Sequence, residues 1–336
     1  MIEAALRRSW QVALTFLIGS FLVFATTEFS PGTVVSKILG PYALESQVEL
    51  LKEQLRLNDP LLLRYLRWLG TLAGLVDNEL AEAGMGLGLN DPRGPRYFGN
   101  LGFSLMQKEP VLDVLSRRLW PTVELTLWAV ALMIPLALAL GIAAGIRAGS
   151  ATDRAVSGVT ILLTSLPEFV TGVALILVFT AWLDILPGTS PLDPGNPWRA
   201  ASQMVMPVAV LVIASGAYVA RIVRTSVADT MRRPFVRAAR MKGIGAREVI
   251  FRHVLRNALI APVTVILLQI NWLLTGVVVV EAVFAYPGVG SLLLSAAHFG
   301  DIYLVQALTL LALAVAVGTQ ILGDILYRLI DPRIGR

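Results

Sequence analysis

Two Gly-Asp pairs in apolar surroundings are the residues of this sequence that most suggest catalysis. Gly300-Asp301 and Gly323-Asp324 each resemble half of an intramembrane aspartyl protease site, in which two carboxylates share a proton. The aspartates flank one apolar run and stand 23 residues apart, which is about 35 Å along a helix that rises about 1.5 Å per residue. They cannot meet, so we predict a loop position for Asp301 and a helix-end position for Asp324.

The sequence lacks the residues that other kinds of catalytic site, metal site and nucleotide-binding site require. The chain contains no cysteine, which excludes disulfides, thiolate metal sites and cysteine nucleophiles. Two histidines, His253 and His298, are too few for a zinc or haem centre without help from carboxylates. The sequence has no nucleotide-binding G-x-x-x-x-G-K-[ST] loop and no G-x-S-x-G motif. We therefore expect no enzymatic activity, no bound cofactor and no metal site in this chain.

The elements that hold these residues are predicted to be membrane-spanning helices. The chain is 56% hydrophobic and 15% charged, whereas a soluble domain carries about 25% charged residues. A helix needs about 20 apolar residues to cross a bilayer. Six runs approach that length, one of them interrupted only by Glu168, which follows Pro167 and is expected to cap the restart of the helix. The runs are Ser9–Thr27, Leu125–Ile146, Ala155–Leu183, Ala200–Ala220, Asn257–Val280 and Ile302–Gly323.

Positive charge in the connecting segments predicts the side on which each segment lies. With the N-terminus inside, the inner segments hold 17 Lys and Arg residues, whereas the short outer loops at 184–199 and 281–301 hold only Arg199. The longer outer segment carries ten basic and ten acidic residues, and long translocated segments have little weight in this rule. We predict an all-α protein with six transmembrane helices in a lipid bilayer and both termini inside.

The spans divide the chain into four parts. These are the N-terminus with the first transmembrane helix (1–29), an enlarged outer segment (30–118), a five-helix core (119–328) and an inner tail (329–336). In the outer segment, residues 45–69 have the apolar spacing of an amphipathic helix. Residues 84–104 are rich in Gly and Pro and are predicted to be a loop.

A cleaved signal peptide is the alternative for the first run, with Arg7 and Arg8 as its basic region. Residues 25–31 make a poor small-x-small cleavage site, and cleavage would place the two termini on opposite sides of the membrane. We therefore predict that the first run is a transmembrane helix.

The positive charge of the chain is concentrated in one inner loop, residues 224–262, which we call the basic loop. Segment 221–256 holds ten Lys and Arg residues against two acids, a local charge of +8. The net charge of +5 therefore indicates no nucleic-acid partner. Pro234 is predicted to open a short helix and Gly243 to stop it.

One face of this short helix is suited to docking. Helical spacing groups Phe235, Ala238, Ala239 and Lys242. The two alanines would let another surface approach closely, and the phenylalanine would serve as an anchor. A second helix is predicted to start after Gly245 and to run through Asn257 into the fifth span. The alternative is that these basic helices simply lie on an anionic inner leaflet, and the residues alone do not choose between the two.

Several linked motifs match a known pattern. Phe235-Val-Arg-Ala-Ala-Arg-Met-Lys-Gly243 and His253-Val-Leu-Arg-Asn-Ala-Leu259 form one pair within the basic loop. Further motifs are Arg118-Leu-Trp-Pro121-Thr122, Glu281-Ala-Val-Phe284, Pro287-Gly-Val-Gly290, Asp324-Ile-Leu-Tyr327 and Asp331-Pro-Arg333. In this order they resemble binding-protein-dependent ABC importer permeases, and within them the dipeptide/oligopeptide/nickel family. The long segment after the first span resembles the B-type of that family's two paired permease subunits.

The resemblance implies a fold, a location and partners. The fold would be that of a type I ABC importer permease, multi-pass in the bacterial inner membrane. The partners would be a second, C-type permease subunit, two ATPase subunits or domains that bind ATP and Mg²⁺, and an external solute-binding protein. Members of the family move di- and oligopeptides, nickel chelates, opines or oligosaccharides, and peptide is the most frequent solute.

The resemblance also implies a mechanism in which the short helix of the basic loop docks in a cleft of the ATPase. Closure of the ATPase pair would then switch the spans between inward-open and outward-open states. The residues expected to couple the two subunits are Phe235, Arg237, Ala238, Ala239, Lys242, Gly243 and Gly245. Arg237 and Arg256 stand where the wider superfamily often has Glu and Pro.

Polar residues inside the spans are the candidates for lining the solute path, because such residues are costly in lipid. They are Gln269, Asn271, Glu281, Gln306 and Gln320. The alternative is that they bond neighbouring helices. A secondary, ion-coupled transporter that needs no ATPase is the other function considered. It usually shows internal repeats with broken helices, and the sequence shows no repeat and leaves the basic loop without a role.

Overall fold

The structure is a computed structural model that describes residues 2–28, 35, 39, 40, 42–54, 56–77, 93, 96–192 and 197–330. The helices before the short hairpin are α1 (Ile2–Glu28), α2 (Glu45–Gln54) and α3 (Leu61–Leu72), and the hairpin pairs β1 (Phe103–Ser104) with β2 (Glu109–Pro110). The helices that follow are α4 (Val111–Ile146), α5 (Ala151–Thr164), α6 (Glu168–Ile176), α7 (Pro197–Met231), α8 (Pro234–Met241), α9 (Ala246–Glu248), α10 (Leu255–Ala258), α11 (Ile260–Val283), α12 (Val289–Phe299) and α13 (Ile302–Ile330). A π-helical turn at Leu177–Trp182 extends α6, and another at Val249–Val254 joins α9 to α10.

Several of these helices are long and apolar enough to cross a membrane. In the described part of the chain four qualify as single helices, namely Trp10–Glu28, Val111–Ile146, Ala201–Met231 and Ile302–Gly323. The number rises to six if each of two bent helix pairs forms one span. The four single helices overlap four of the apolar runs in the sequence, so the prediction of several spanning helices is confirmed at this level.

The third predicted span is bent rather than straight. Helices α5 and α6 meet at 102° across the break at residues 165–167. Pro167 accounts for the break, because proline has no N–H to continue the helical ladder and disfavours helical backbone in the residue before it. The expectation that Glu168 caps the restart is wrong: Pro167 takes the N-cap position without a side-chain bond. In the described part of the chain Glu168 makes no capping hydrogen bond.

Two other prolines leave helix carbonyls without their usual donors, and serines fill the gap. Pro207 lies inside α7 and cannot bond to the carbonyl of Gln203, but Ser190 Oγ donates to that oxygen at 2.6 Å. Pro262 lies in the first turn of α11, and the carbonyl of Ala258, four residues earlier, accepts from Ser226 Oγ at 2.5 Å. Each serine therefore satisfies a backbone group that lipid could not.

The chain divides into two compact units. The first comprises Met1–Trp120 and Leu292–Gly318, and the second comprises Pro121–Ser291 and Thr319–Arg336. These units are defined by contacts within the chain. The predicted division into four parts is defined by the side of the membrane on which each part lies, and it stays a prediction.

In the first unit, aromatic side chains of the outer segment pack on the first helix. Tyr65 of α3 is 6% exposed, and its Oη lies 2.8 Å from Ser20 Oγ on α1. Its ring lies edge-on to Phe21, with centroids 5.2 Å apart. The amphipathic segment predicted at 45–69 is two helices rather than one, because the chain turns at Arg56, which has a positive φ of 49°, and α3 starts only after Pro60.

The hairpin of the first unit is held by Asp301. Its carboxylate accepts from Ser104 Oγ at 2.6 Å and from the backbone N–H of Met106 at 3.0 Å. It also accepts from the N–H of Leu304, so it caps α13 while only 2% exposed. The predicted loop position is confirmed, and the role of the residue is structural.

The second unit has the main apolar core, in which α4 and α7 pack closely. Leu125, Ala129, Met133 and Ala137 form a buried stripe at four-residue spacing along α4. Close approach depends on glycine, because a Cβ at Gly141 would stand 2.6 Å from the carbonyl oxygen of Ala220 on α7. Small residues at a helix crossing are the usual means of close packing between spanning helices.

The two serines predict a measurable loss of stability. Ser190→Ala and Ser226→Ala each leave a carbonyl without its donor, so each should lower the free energy of unfolding by about 1–3 kcal/mol. The measurement is the thermal unfolding temperature of the purified chain. Ser165→Ala is the matched control, because Ser165 Oγ also donates to a helix carbonyl, that of Ile161, but this oxygen keeps a backbone donor, the N–H of residue 165. Equal stability of all three variants would contradict the assignment.

Candidate functional site

The basic loop contains the short helix that its prolines and glycines predict. In α8 Arg233 is extended at the N-cap, Pro234 occupies the first turn, and Lys242 is the C-cap. Gly243 follows with a positive φ of 77°, which a residue without Cβ adopts easily, and its N–H bonds to the carbonyl of Arg240. The predicted start and stop of the helix are confirmed.

The two faces of α8 differ sharply in exposure. Val236 is fully buried and Ala239 is 6% exposed, and both pack into the core of the second unit. Phe235 is 42% exposed and Met241 is 83% exposed. Arg237 and Lys242 are also exposed, and Ala238 is half-buried.

This pattern corrects one member of the predicted docking face. Ala239 lies three residues after Val236 and so shares its inward face. It therefore packs against its own chain and is not accessible to a partner. The accessible face consists of Phe235, Arg237, Met241 and Lys242, with Ala238 at its border. A charged residue at position 239 would therefore disrupt the core of the second unit rather than a contact surface.

The helix after Gly245 is broken where the sequence predicts a continuous one. It consists of α9, a π-helical turn and α10, and it meets α11 at an angle of 52°. Pro262 explains the bend, because its ring clashes with the carbonyl four residues earlier and its nitrogen has no hydrogen to donate. Val249 and Val254 of the π-helical turn are buried in the same core as Val236. The short helix α8 is therefore backed by packed structure rather than suspended in a loose loop.

An ion pair between half-buried Arg224 and buried Asp153 secures the start of the basic loop. Arg224 Nε and Nη2 donate to the two carboxylate oxygens of Asp153 at 2.7 and 2.6 Å. The Asp153 side chain is 4% exposed and also accepts from the N–H of Gly149. This bidentate geometry is the strong form of the Arg–carboxylate contact. Sequence reasoning counted Arg224 as one of many basic residues and did not single out Asp153, because the two positions are far apart in the chain.

The structure gives Glu281, a predicted path residue, a different environment. Its side chain is fully buried and accepts from Thr122 Oγ1 at 2.6 Å and from the backbone N–H groups of Gly290 and Ser291 at 2.7 and 3.0 Å. These bonds hold the turn between α11 and α12 against α4. Glu281 therefore supports a turn, and this role differs from the predicted place in the solute path.

The remaining path candidates occupy varied positions. Gln306 is 2% exposed and donates through Nε2 to Thr27 Oγ1 at 2.8 Å, a bond between neighbouring helices of the first unit. Gln320 is exposed on α13. The side chain of Asn271 lies outside the described residues. Gln269 lines a cavity of the second unit.

This cavity has the size of a small-molecule site. Its volume is about 700 Å³, within the range of about 300–1,000 Å³ typical of ligand pockets. The described lining includes Pro167, Glu168, Phe169, Tyr218, Gln269 and Trp272. A second cavity, in the first unit beside Arg64 and Tyr303, measures only about 80 Å³. It holds a few waters at most, since one water takes about 30 Å³ of liquid.

Glu168 is the functional candidate that the sequence analysis undervalued. A charge inside a membrane span costs about 2.5–3.5 kcal/mol on insertion scales. A carboxylate in the first turn of a helix recovers only about 0.3–1 kcal/mol from the helix dipole. The position of Glu168 at the start of α6 therefore does not by itself offset the cost of placing a charge in a span. The sequence feature that could have identified Glu168 is that it is the only charged residue in the apolar run Ala155–Leu183.

Comparison with known proteins now decides the family. Residues 137–336 match the family described as "Binding-protein-dependent transport system inner membrane component". The chain belongs to this family. It is 31% identical over 326 residues to the "Probable peptide ABC transporter permease protein y4tP" of Sinorhizobium fredii, covering 96% of each chain. It is 30% identical over 334 residues to the "Glutathione transport system permease protein GsiC" of Escherichia coli, covering 99% of each.

The fold of the chain resembles that of a solved transporter. A solved structure of the MetNI methionine ABC transporter, in inward-facing conformations, matches with a TM-score of 0.54 at 19% identity and covers 66% of this chain and 99% of that one. The protein is therefore a multi-pass membrane permease and the membrane subunit of an ABC importer, as the sequence motifs predicted. The ion-coupled transporter considered as an alternative gains no support.

The packing of the turn held by Glu281 yields a stability prediction for the permease. A Cβ at Gly290 would stand 2.5 Å from Val278 Cα, which is backbone and cannot move aside. Gly290→Ala should therefore lower the free energy of unfolding by about 1–3 kcal/mol through overpacking. Thermal unfolding of the purified permease measures this. The control is Gly318→Ala, where nothing lies within 4 Å of the added carbon and where alanine favours the helix. Loss of stability in Gly318→Ala but not in Gly290→Ala would overturn the packing argument.

Proposed function

We propose that this permease imports peptides, or solutes of similar size, that an external binding protein delivers. Transport is driven by ATP hydrolysis on partner subunits. The names of the relatives in Sinorhizobium fredii and Escherichia coli, a peptide permease and a glutathione permease, support this solute class. The location proposed is the bacterial inner membrane, in keeping with the description of the family.

The observation that carries the coupling part of the proposal is the exposed face of α8. A helix with a proline start and a glycine stop, backed by buried Val236 and Ala239, is a rigid element. On its free side Phe235 and Met241 expose large apolar groups between basic residues. An exposed aromatic anchor on a rigid element is typical of a contact surface. We assign the ATPase contact to this face, and we assign to Gly243 and Gly245 the role of ending α8 and starting α9.

The proposed assembly contains this B-type chain, a C-type permease, two ATPase subunits or domains and the binding protein. ATP and Mg²⁺ bind to the ATPase chains, and this chain supplies no catalytic residue. The sequence has no phosphate-binding G-x-x-x-x-G-K-[ST] loop, which supports that division of labour. Alternating access moves the spans as the ATPase pair closes on the basic loop.

The proposed topology has six spans, with both termini inside. It counts the bent pair α5–α6 as one span and α11 as another, and the remaining four spans are the single helices described above. The divisions at 1–29, 30–118, 119–328 and 329–336 follow from it, with the basic loop inside and the 30–118 segment outside. The charge bias of 17 inner basic residues against one in the short outer loops supports this orientation.

The absence of cysteine makes this topology directly testable. Single cysteines at Met241, which is 83% exposed, and Phe98, which is 87% exposed, will report opposite sides. In intact cells a membrane-impermeant maleimide should label Phe98→Cys and leave Met241→Cys unlabelled until the membrane is opened. Labelling of Met241→Cys from outside would overturn both the orientation and the docking assignment.

Substitution of the exposed anchor tests the ATPase contact. Phe235→Asp places a charge on the accessible face of α8, where the side chain is 42% exposed. We expect normal accumulation of the permease, but a loss of about tenfold or more in co-purified ATPase and in uptake, as for an interface anchor worth about 2 kcal/mol.

Phe98→Asp in the outer segment is the matched control and should retain the ATPase. Ala239→Asp should instead reduce accumulation of the permease, because that position is buried. If Phe235→Asp keeps its ATPase but loses binding to vesicles of anionic lipid, the basic loop is a membrane-surface element and the coupling proposal fails.

A further inference from the structure

The cavity of about 700 Å³ lies at the proline break of the third predicted span. Thr164 and Pro167 line it from either end of the break, α7 contributes Ser215, and α11 contributes Gln269 and Trp272. Four helices of the second unit, α5, α6, α7 and α11, thus surround one space. A break in a spanning helix is tolerated where it lines a cavity, so the break and the cavity belong together.

Glu168 is the one charged side chain among the described residues that line this cavity. In the part of the chain that the structure describes, its carboxylate forms no hydrogen bond or ion pair. Gly276 of α11 provides the room for it, since a Cβ there would stand 2.6 Å from Oε1. The carboxylate is thus accommodated by the fold but not neutralised by it. Ionisable groups in this situation usually face a pathway or a ligand.

Aromatic rings give the cavity a preference among ligands. Phe169 and Trp272 line it and are 54% and 66% exposed. The Tyr218 ring is already covered by the guanidinium of Arg221, 5.7 Å from its centroid, so it is not counted as a free face. A carboxylate beside open aromatic faces is the combination that recognises ammonium groups.

We propose that this cavity is the part of the solute path that this subunit provides, and that Glu168 binds an ammonium group of the solute as it crosses. Trp272 and Phe169 supply apolar and cation–π contacts, and Gln269 supplies a polar contact beside them. The inference rests on the proposed function and narrows its solute class to molecules with a free amino group. A peptide with an unblocked N-terminus is such a molecule.

The test uses the complete importer in lipid vesicles with its binding protein. The probes are tri-alanine and N-acetyl-tri-alanine, and the permease variants are Glu168→Gln, Glu168→Asp and the control Glu124→Gln. Glu124 lies in α4 outside the cavity lining and undergoes the same loss of charge. Uptake of each probe is measured together with ATP hydrolysis stimulated by the loaded binding protein. Because every variant meets the same binding protein, its contribution cancels in the ratio of variant to unmodified importer.

We expect Glu168→Gln to reduce tri-alanine uptake by about tenfold or more, the size expected for the loss of one charge-assisted contact. Uptake of N-acetyl-tri-alanine should change little, Glu168→Asp should keep part of the tri-alanine uptake, and Glu124→Gln should behave as the unmodified importer. Stimulated ATP hydrolysis should survive, since the basic loop is untouched.

Three outcomes would overturn the inference. Unchanged tri-alanine uptake in Glu168→Gln is one, and an equal fall for both probes is another. The third is loss of the second permease from purified Glu168→Gln, which would make Glu168 an assembly residue. A fourth result, in which the unmodified importer does not transport tri-alanine when ATP is supplied, is distinguishable from these three. It would contradict the proposed function and not only the role of Glu168.

Discussion

A backbone group inside a membrane has no water to bond to, and this requirement shapes the regions of the permease on which function depends. Each proline in a spanning helix removes one donor and leaves one carbonyl free. At Gln203 and Ala258 the free carbonyl accepts a hydrogen bond from a serine hydroxyl elsewhere in the fold. At Pro167 the helix breaks, and the break borders the cavity of about 700 Å³. A proline in these helices thus has one of two consequences: a serine hydroxyl bonds the carbonyl that the proline leaves free, or the helix breaks beside a cavity.

The hydrogen bond from Ser226 to the Ala258 carbonyl also links two helices. It joins α7 to the bend between α10 and α11, where the basic loop re-enters the span. The Asp153–Arg224 pair holds the opposite end of that loop. Between these two fixed points α8 rests on buried Val236 and Ala239. A displacement of α8 would therefore be passed to α7 and α11 rather than absorbed by flexible chain, as coupling to an ATPase requires.

Carboxylates in the apolar part of this chain differ in role, and the surroundings of each one show which role it has. Asp301 and Glu281 each accept several hydrogen bonds, including backbone N–H groups at helix starts or turns, and they stabilise local structure. Asp153 is matched by a guanidinium. Glu168 has a cavity beside it and no such partner among the described residues. A carboxylate satisfied by the fold is structural, whereas one that is accommodated and left unsatisfied is available to a ligand.

Composition, local backbone preference and motifs contiguous in the chain were enough to predict the membrane class, the apolar runs, the helix between Pro234 and Gly243, and the family. The folded structure was needed to show which side of α8 is free, that Ala239 faces inward, that Glu281 holds a turn, and that Glu168 opens onto a cavity. Those properties depend on what packs against a residue from distant positions. Ser190 and Ser226 illustrate the limit: each is an ordinary serine in the sequence, and its role exists only because folding brings it to a carbonyl that a proline elsewhere has left free.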